Sequence, residues 1–461
     1  MMSHAEALQR ERPCAGATAA LVDFVQKLKH TGLSHEMRHH ARRHLLDTAG
    51  VMIAGAGHEV AGKAQAVLAG LRSGGRVPVP GLSSRADLLD AVFLGGTAAH
   101  GLELDDGFRQ GSVHPGCVVV PAALAVAHAQ RASGAELLEA VVAGYEAVTA
   151  IGAACHPHLR QRGFHPTSIV GVFGSAAGKL LRLSSAEMNN TVGLAASSAA
   201  GLFAFVKGGA DVKRLHAGHA AREGLQAALL AQAGIQGPPD VLEASDGFMH
   251  AFLGDAVPIA LPPLVPFGVT DCYVKPHPCC RHIQPAAEAL IALLEEQNIT
   301  PGEVERIEVA TYRIAAAHAS TGWDDFASAQ LSFPYVMALA LKHRAIRLEH
   351  FEENVRRAPW VENIARKVSV SAPPEMDGLY PQLRPARVTV TTSRGSFTHQ
   401  VDEALGSRIL PLDDAGLQAK FLGLVSPVLG QERAQELAVR LWSVDDIREV
   451  APVIEMMTKP A

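Results

Sequence analysis

The first half of the chain carries one hydrophobic pattern almost without a break. Apolar, Ala-rich runs recur at three- and four-residue spacing over residues 45–54, 88–99, 118–129, 137–154, 168–181 and 216–233, punctuated by Gly and Pro. That spacing belongs to helices with a buried face, so residues 21–254 are predicted to be helical almost throughout. Aromatic residues make up only 5 % of the chain while Gly numbers 42, so these helices are expected to pack closely through small side chains. Residues before about Ala20 read as a loose arm. The longest bland stretch, 193–206, is mostly Ala, Gly and Ser and reads as a buried helix. No run reaches the roughly 18 strongly apolar residues of a membrane span, so no membrane partner is expected.

The texture changes near Leu261. Pro262, Pro263 and Pro266 break helix, and β-branched runs follow. Residues 304–309 alternate like a half-buried strand; 387–392 and 396–401, joined by Ser393-Arg394-Gly395, read as a hairpin. Helical segments lie between, at 286–297, 332–341 and 349–355, and the tail, 412–455, is helical again. The predicted fold class is α+β: a large all-helical domain (1–263), a smaller α+β lid domain (264–402), and C-terminal helices (403–461) that rejoin the first domain. A cleft between two such units is the default ligand site.

A chain of 461 residues with 48 % hydrophobic and 19 % charged residues can bury a large core and is not disordered. Lys+Arg number 41 and Asp+Glu 46, a formal balance of 41 − 46 = −5, which leaves no electrostatic footprint for nucleic acid. Six scattered cysteines make no disulfide framework and point to a reducing, cytoplasmic compartment. The first twenty residues mix charges where a signal peptide needs an apolar core.

Four short motifs concentrate ionisable side chains. The first runs from His100 to Gly107 and holds Glu103, Asp105 and Asp106; His100 and Glu103, three apart, would share a helical face, with Gly107 ending the helix. A solvated last turn with one capping carboxylate is the bland alternative. The second is a pair of His-Pro helix starts, His114-Pro115 and His165-Pro166, where Pro fits the first turn and free N–H groups favour an anion. The third is Lys213-Arg214-Leu215-His216, approached through Lys207 and Gly208-Gly209; its lysine either snorkels or waits over an anion. The fourth, Lys275 to His282, holds two prolines, Cys279, Cys280, Arg281 and His282. A zinc site there lacks a second spaced Cys pair, and an anion-binding loop with an acid/base residue is the better reading. Together the motifs suit a small substrate with two or three carboxylates, and proton abstraction beside one of them. No dinucleotide, phosphate-loop, GxSxG or HExxH signature is present.

The stretches LLDTAGVMIAG (45–55), AAHGLELDDG (98–107), HPGCVVVPAALA (114–125), GFHPTSIVGVFGSAAG (163–178), KRLHAGHAAREG (213–224), KPHPCCRHIQPA (275–286) and SFPYVMALAL (332–341) resemble, in order, the MmgE/PrpD family. The resemblance implies a helical domain with an α+β lid, a homodimer, no cofactor and no metal. It puts His114, His165, Lys213 and Lys275 on the family's active-site positions, Asp106 in the acidic motif beside them, and Tyr312 near the site. Family activities are 2-methylcitrate dehydratase, cis-aconitate decarboxylase and iminodisuccinate epimerase. This chain departs from the decarboxylase pattern at Glu103, Gly107 and Cys280, which weakens that activity as the expectation.

The expected enzyme is therefore a lyase of the dehydratase type, acting on a small polycarboxylate. His165 or His114 would be base or acid, Lys213 and Lys275 would bind carboxylates, and Glu103 or Asp106 would orient a histidine. Arg281, His282, Tyr312 and Thr167 complete the expected substrate contacts. Epimerisation is the alternative, with Cys280 as a second proton donor. A metal-dependent hydrolase built on His100, Asp105, Asp106 and His114, and a catalytically silent scaffold, are the readings from other classes.

Overall fold

The computed structural model describes residues 16–71, 74–174, 177–207, 211–254, 261 and 268–460. The arm before Gly16, Gly208-Gly209, Pro262, Pro263 and Pro266 lie outside the described residues, as does the side chain of Lys207.

Helices α1 (Ala17–Lys27), α2 (His35–Gly55), α3 (Leu88–Ala99), α4 (Gly116–Gln130), α5 (Gly134–Cys155), α6 (Pro166–Gly171), α7 (Ser185–Ser197) and α8 (Val212–Gln232) build the large domain. Their starts follow local chemistry. Ser133 and Ser184 each accept from the backbone N–H three residues on, and Glu136 and Glu187 reach back, closing two capping boxes. Small residues set the helix separations: a Cβ on Gly96 of α3 would lie 2.8 Å from the Gly218 Cα of α8. Helix α5, alone among described helices long and apolar enough to cross a membrane, is 83 % buried over its most apolar window.

The second domain begins with α9 (Gln284–Glu296) and strand β1 (Val304–Thr311), continues through α10 (Phe333–His343) and β2 (Val368–Ser371), and ends in β3 (Ala386–Thr392) and β4 (Gly395–Val401). The sheet order is β2-β1-β3-β4, with β1–β2 parallel and the other pairs antiparallel. Period-two alternation turns Ile307, Val309, Val388 and Val390 inward, into one cluster with Leu290, Leu294 and Val336. The tail helices α11 (Asp414–Leu429) and α12 (Gln431–Trp442) share the first domain's core: Leu417, Phe421 and Leu437 join Leu45, Val118 and Val141.

Four local expectations fail. Residues 17–20 are already helical, because Leu21, Val22 and Val25 are buried and Glu243 accepts from the Thr18 amide and hydroxyl. The stretch 193–206 is not one helix: α7 stops at Ser197, and Gly201 takes φ 145, a value closed to L side chains. The run 168–181 is broken after Gly171 into shorter turns, and 349–355 splits between two single turns. In both, composition carried the helical period but no continuous helix followed.

Candidate active site

Helix α3 ends at Ala99, and His100 to Gly107 is a loop rather than a continuation of the helix. His100 and Glu103 therefore do not share a helical face. Glu103 sits at φ 54, a left-handed conformation that costs a non-glycine residue about 1–3 kcal/mol. Side chains from all around the loop hold it by its carbonyls. Arg214 Nε donates to Gly101 (3.0 Å), Gln330 Nε2 to Leu102 (2.8 Å), Lys420 Nζ to Leu104 (2.9 Å) and His114 Nδ1 to Asp106 (2.6 Å). Gly107 exchanges two backbone hydrogen bonds with Tyr273, at 3.0 and 2.8 Å.

The two aspartates of the loop diverge. Asp105 faces the histidines: its Oδ2 accepts from His100 Nδ1 at 2.7 Å and lies 3.3 Å from His114 Nδ1. Burial alone would lower the His114 pKa; Asp105 and Tyr273 overcome it and raise it to about 9. His100 has no such excess of negative charge, and burial pulls it down to about 3. Asp106 turns inward, accepting from the Gly116 amide (2.9 Å) and Tyr145 Oη (2.6 Å), with His44 Nδ1 at 3.0 Å. Its side chain caps α4, and only its carbonyl touches His114.

His165 stands at the N-cap of α6, its Nδ1 3.0 Å from His216 Nδ1 and its ring 5.9 Å from that of His100. Burial, with His100 and His216 beside it, holds it well below the usual histidine range, so it is neutral at pH 7. Glu103 bridges two lysines: one carboxylate oxygen contacts Lys213 Nζ and the other lies 3.1 Å from Lys275 Nζ, and burial, with Lys275 beside it, holds Lys213 well below the usual lysine range. Lys275 is 1 % exposed and has Asp105 at 3.6 Å as a second anion.

The opposite wall comes from the α+β domain. Gln330, which holds Leu102, also donates to the Pro278 carbonyl (2.9 Å) and accepts from the Cys280 amide through its own carbonyl (2.9 Å). Cys279 points into the domain core, and Cys280 lines the cavity with its Sγ 3.8 Å from His318 Nε2. Burial raises a thiol, but His318 reverses the balance and brings Cys280 down to about 6. The His318 imidazole is raised in turn by the thiolate, against burial. His282 Nδ1 makes a short hydrogen bond to Tyr312 Oη, which is fully buried behind it.

A cavity of about 120 Å³ lies between these walls. Of the residues expected from the sequence, Glu103, His114, His165, Lys213, Lys275, Cys280, Arg281 and His282 line it. Three do not. Asp106 caps α4, as above, with Asp105 in the position expected of it. Thr167 Oγ1 accepts from the His114 amide (3.2 Å), and Tyr312 stands behind His282. Arg281 reaches the wall, but its guanidinium donates to Gln284 Oε1 and the Ala404 and Leu405 carbonyls at 2.6–2.8 Å. Residues that sequence reasoning did not select are Tyr273, Arg160, His318 and Arg384 on the lining, and His216 beside His165. The first four stand outside the dense motifs, where no local spacing marks them; His216 lies in the third motif, which was read for its lysine.

Two groups of metal-capable side chains occur among the described residues, His44/Asp106/Cys272 and His100/Asp105/Cys117. Burial and adjacent carboxylates raise both thiols well above the ordinary value, whereas a metal ligand is a thiolate. The histidines already bond the carboxylates. The hydrolase quartet His100, Asp105, Asp106 and His114 is also split, because Asp106 faces away.

Comparison with known proteins follows the same division of the chain. The MmgE/PrpD N-terminal domain matches residues 19–259 and the MmgE/PrpD C-terminal domain residues 277–444. The chain belongs to the MmgE/PrpD family. Among curated members it is 27 % identical to a cis-aconitate decarboxylase of Aspergillus terreus, over 97 % of this chain and 96 % of that protein. It is 27 % identical to the cis-aconitate decarboxylase of Mus musculus (96 % and 94 % covered) and 28 % identical to that of Homo sapiens (80 % and 79 %).

Proposed function

We propose that this MmgE/PrpD chain is a lyase of small polycarboxylates that works by proton transfer at the carbon beside a carboxylate, with dehydration as its reaction. One observation carries the reading: a neutral His165 and a charged His114 share a cavity with Lys213 and Lys275. Two imidazoles whose environments push their pKa values apart form an acid/base set. His165 would take the proton from carbon, the lysines would stabilise the dianion that develops, and His114 would protonate the departing hydroxide. Glu103 and Asp105 would hold the lysines and His114 in place. The relatives' names, cis-aconitate decarboxylase, support a tricarboxylate-sized substrate. The division of the chain at 264 and 402 belongs to the same proposal, with 264–402 closing over the substrate.

The Cys280–His318 pair favours a second reading, epimerisation. It puts a proton-handling group on the wall across from His165, as inversion at carbon requires. Incubation with 2-methylcitrate, citrate and cis-aconitate in D₂O, followed by NMR, separates the outcomes. A new vinyl signal with loss of water supports dehydration. Deuterium entering without loss of water or CO₂ makes the enzyme an epimerase, and CO₂ release makes it a decarboxylase like its relatives. No change in any acid removes the proposal.

A further inference from the structure

Among the described residues, five lysine or arginine side chains are almost completely buried: Arg43, Arg214, Lys275, Arg281 and Arg384. Four have partners. Arg43 meets Asp414, Arg214 the Gly101 carbonyl, Lys275 Glu103, and Arg281 three acceptors. Arg384 is different. It is 4 % exposed, its Nε has no hydrogen-bond partner, and no carboxylate among the described residues pairs with it. It lies over the face of Tyr273, 5.6 Å away, which Arg281 also covers at 5.0 Å, and against burial Tyr312, Tyr273, Tyr380 and Glu403 favour its charged form. Glu403 acts on it electrostatically, but its ion pairs are with Arg109 at 3.0 Å and Arg281 at 3.9 Å. On the facing wall Arg160 rests on Phe203 at 4.9 Å and likewise has no anion among the described residues. Both arginines line the cavity.

A buried guanidinium with no carboxylate in contact can still take one, because its planar fork fits a carboxylate with two parallel hydrogen bonds. Lys213 and Lys275, by contrast, already share Glu103. We infer that Arg384 and Arg160 form a second anion subsite, which takes a carboxylate of the substrate remote from the reacting carbon. This rests on the polycarboxylate reading and deepens it: the substrate carries at least two carboxylates, and the arginines, one from each domain, select for the second. A substrate seated there would bridge the two walls.

The test uses the unreactive tricarboxylate tricarballylate, measured by calorimetry on the full-length protein, with inorganic phosphate as a second anion. Arg384→Gln and Arg160→Gln are each expected to weaken tricarballylate about 30-fold, which is about 2 kcal/mol at 1.4 kcal/mol per decade. Arg384→Lys is expected to fall between Arg384→Gln and wild type, and phosphate to bind more weakly than tricarballylate. Without ligand, Arg384→Gln is expected to melt close to wild type, because it breaks no ion pair. Wild-type affinity in both Gln variants overturns the subsite, as does an Arg384→Gln protein that melts lower and binds normally, since that marks a structural arginine. Phosphate binding tighter than tricarballylate overturns the carboxylate assignment. A wild-type protein that neither binds tricarballylate nor turns over any polycarboxylate fails differently: it refutes the proposed function itself, and the subsite with it.

Discussion

Cys280 gives the most direct physical test of the cavity. Beside His318 its thiol is held at about 6, against 9.0 for an unperturbed thiol on the same scale. A thiol at 6 is roughly 90 % thiolate at pH 7, and one at 9 roughly 1 %. Alkylation at a single pH is nevertheless a poor readout. A thiolate three pH steps less basic is intrinsically about twenty-fold less nucleophilic, which offsets most of the gain in population. The midpoint of the pH dependence has no such compensation. The thiolate exists above the pKa, so inactivation by iodoacetamide is expected to rise with pH and level off above about 6.5, with a midpoint near 6. In His318→Gln the imidazolium is gone and only the His282 amide and Lys275 still oppose burial, so the midpoint is expected to move well up, toward the unperturbed value. Circular dichroism checks that the variant is folded, and mass spectrometry that Cys280 is the residue modified. A wild-type midpoint at 8.5 or higher, or one that His318→Gln leaves in place, would refute the ion pair.

Lys275→Ala and His165→Ala are each expected to abolish turnover without unfolding the protein; in the first, Glu103 keeps Lys213 and Asp105 keeps its histidines. Near-normal rates in either would remove the site assignment. His114 is raised to about 9 by Asp105, so if its charged form is the acid, kcat/KM falls as pH rises through about 9. Asp105→Asn is expected to start that fall at lower pH, and a pH–rate profile with the same basic limb would count against it. Gly107→Ala is expected to cost about 1–3 kcal/mol in chemical denaturation and to lower activity, because its Cβ would lie 2.3 Å from Tyr273 Oη. Lys420→Met removes the partner of the fully buried Asp47 (2.6 Å) and is expected to cost about 3–5 kcal/mol. A denaturation midpoint within error of wild type would show that Asp47 is not left charged.

The helical domain was legible because its signal is periodic and local: the run 88–99 became a helix with those bounds, and 304–309 became a strand extended by two residues. The dense motifs were legible for a different reason. His114, His165, Lys275 and Cys280 each sit beside or close after a proline, Lys213 opens α8, and chemistry concentrated at such points reaches a shared cavity. What sequence could not supply was direction. Asp105 and Asp106 are neighbours of identical chemistry, and only the φ of Glu103 and the pull of Tyr145 and the Gly116 amide decide which one meets His114. Arg281 and Arg384 show the same limit. The motif named the first, whose hydrogen bonds go to Gln284 and two backbone carbonyls, whereas the guanidinium with no ion pair comes from a loop more than a hundred residues later. His318 was invisible for that reason too, since its role exists only through Cys280.

These directions converge on the loop from His100 to Gly107. Its strain at Glu103 is tolerated because four side chains bond its carbonyls, and they come from separate places: Arg214 from α8, Gln330 from the α+β domain, Lys420 from α11 and His114 from the start of α4. A loop fixed by only one domain would keep its shape when the domains parted. This one cannot, because Gln330 holds the Leu102 and Pro278 carbonyls together, one from each wall. The loop that carries Glu103 and Asp105 is therefore in register with Cys280 only while the two domains are packed, and the cavity is a property of their interface more than of either sequence motif. That is why the small side chains of α3 and α8 matter to chemistry as well as to packing: Gly96 and Gly218 set how closely the helix leading into this loop approaches the one that carries Lys213 and Arg214.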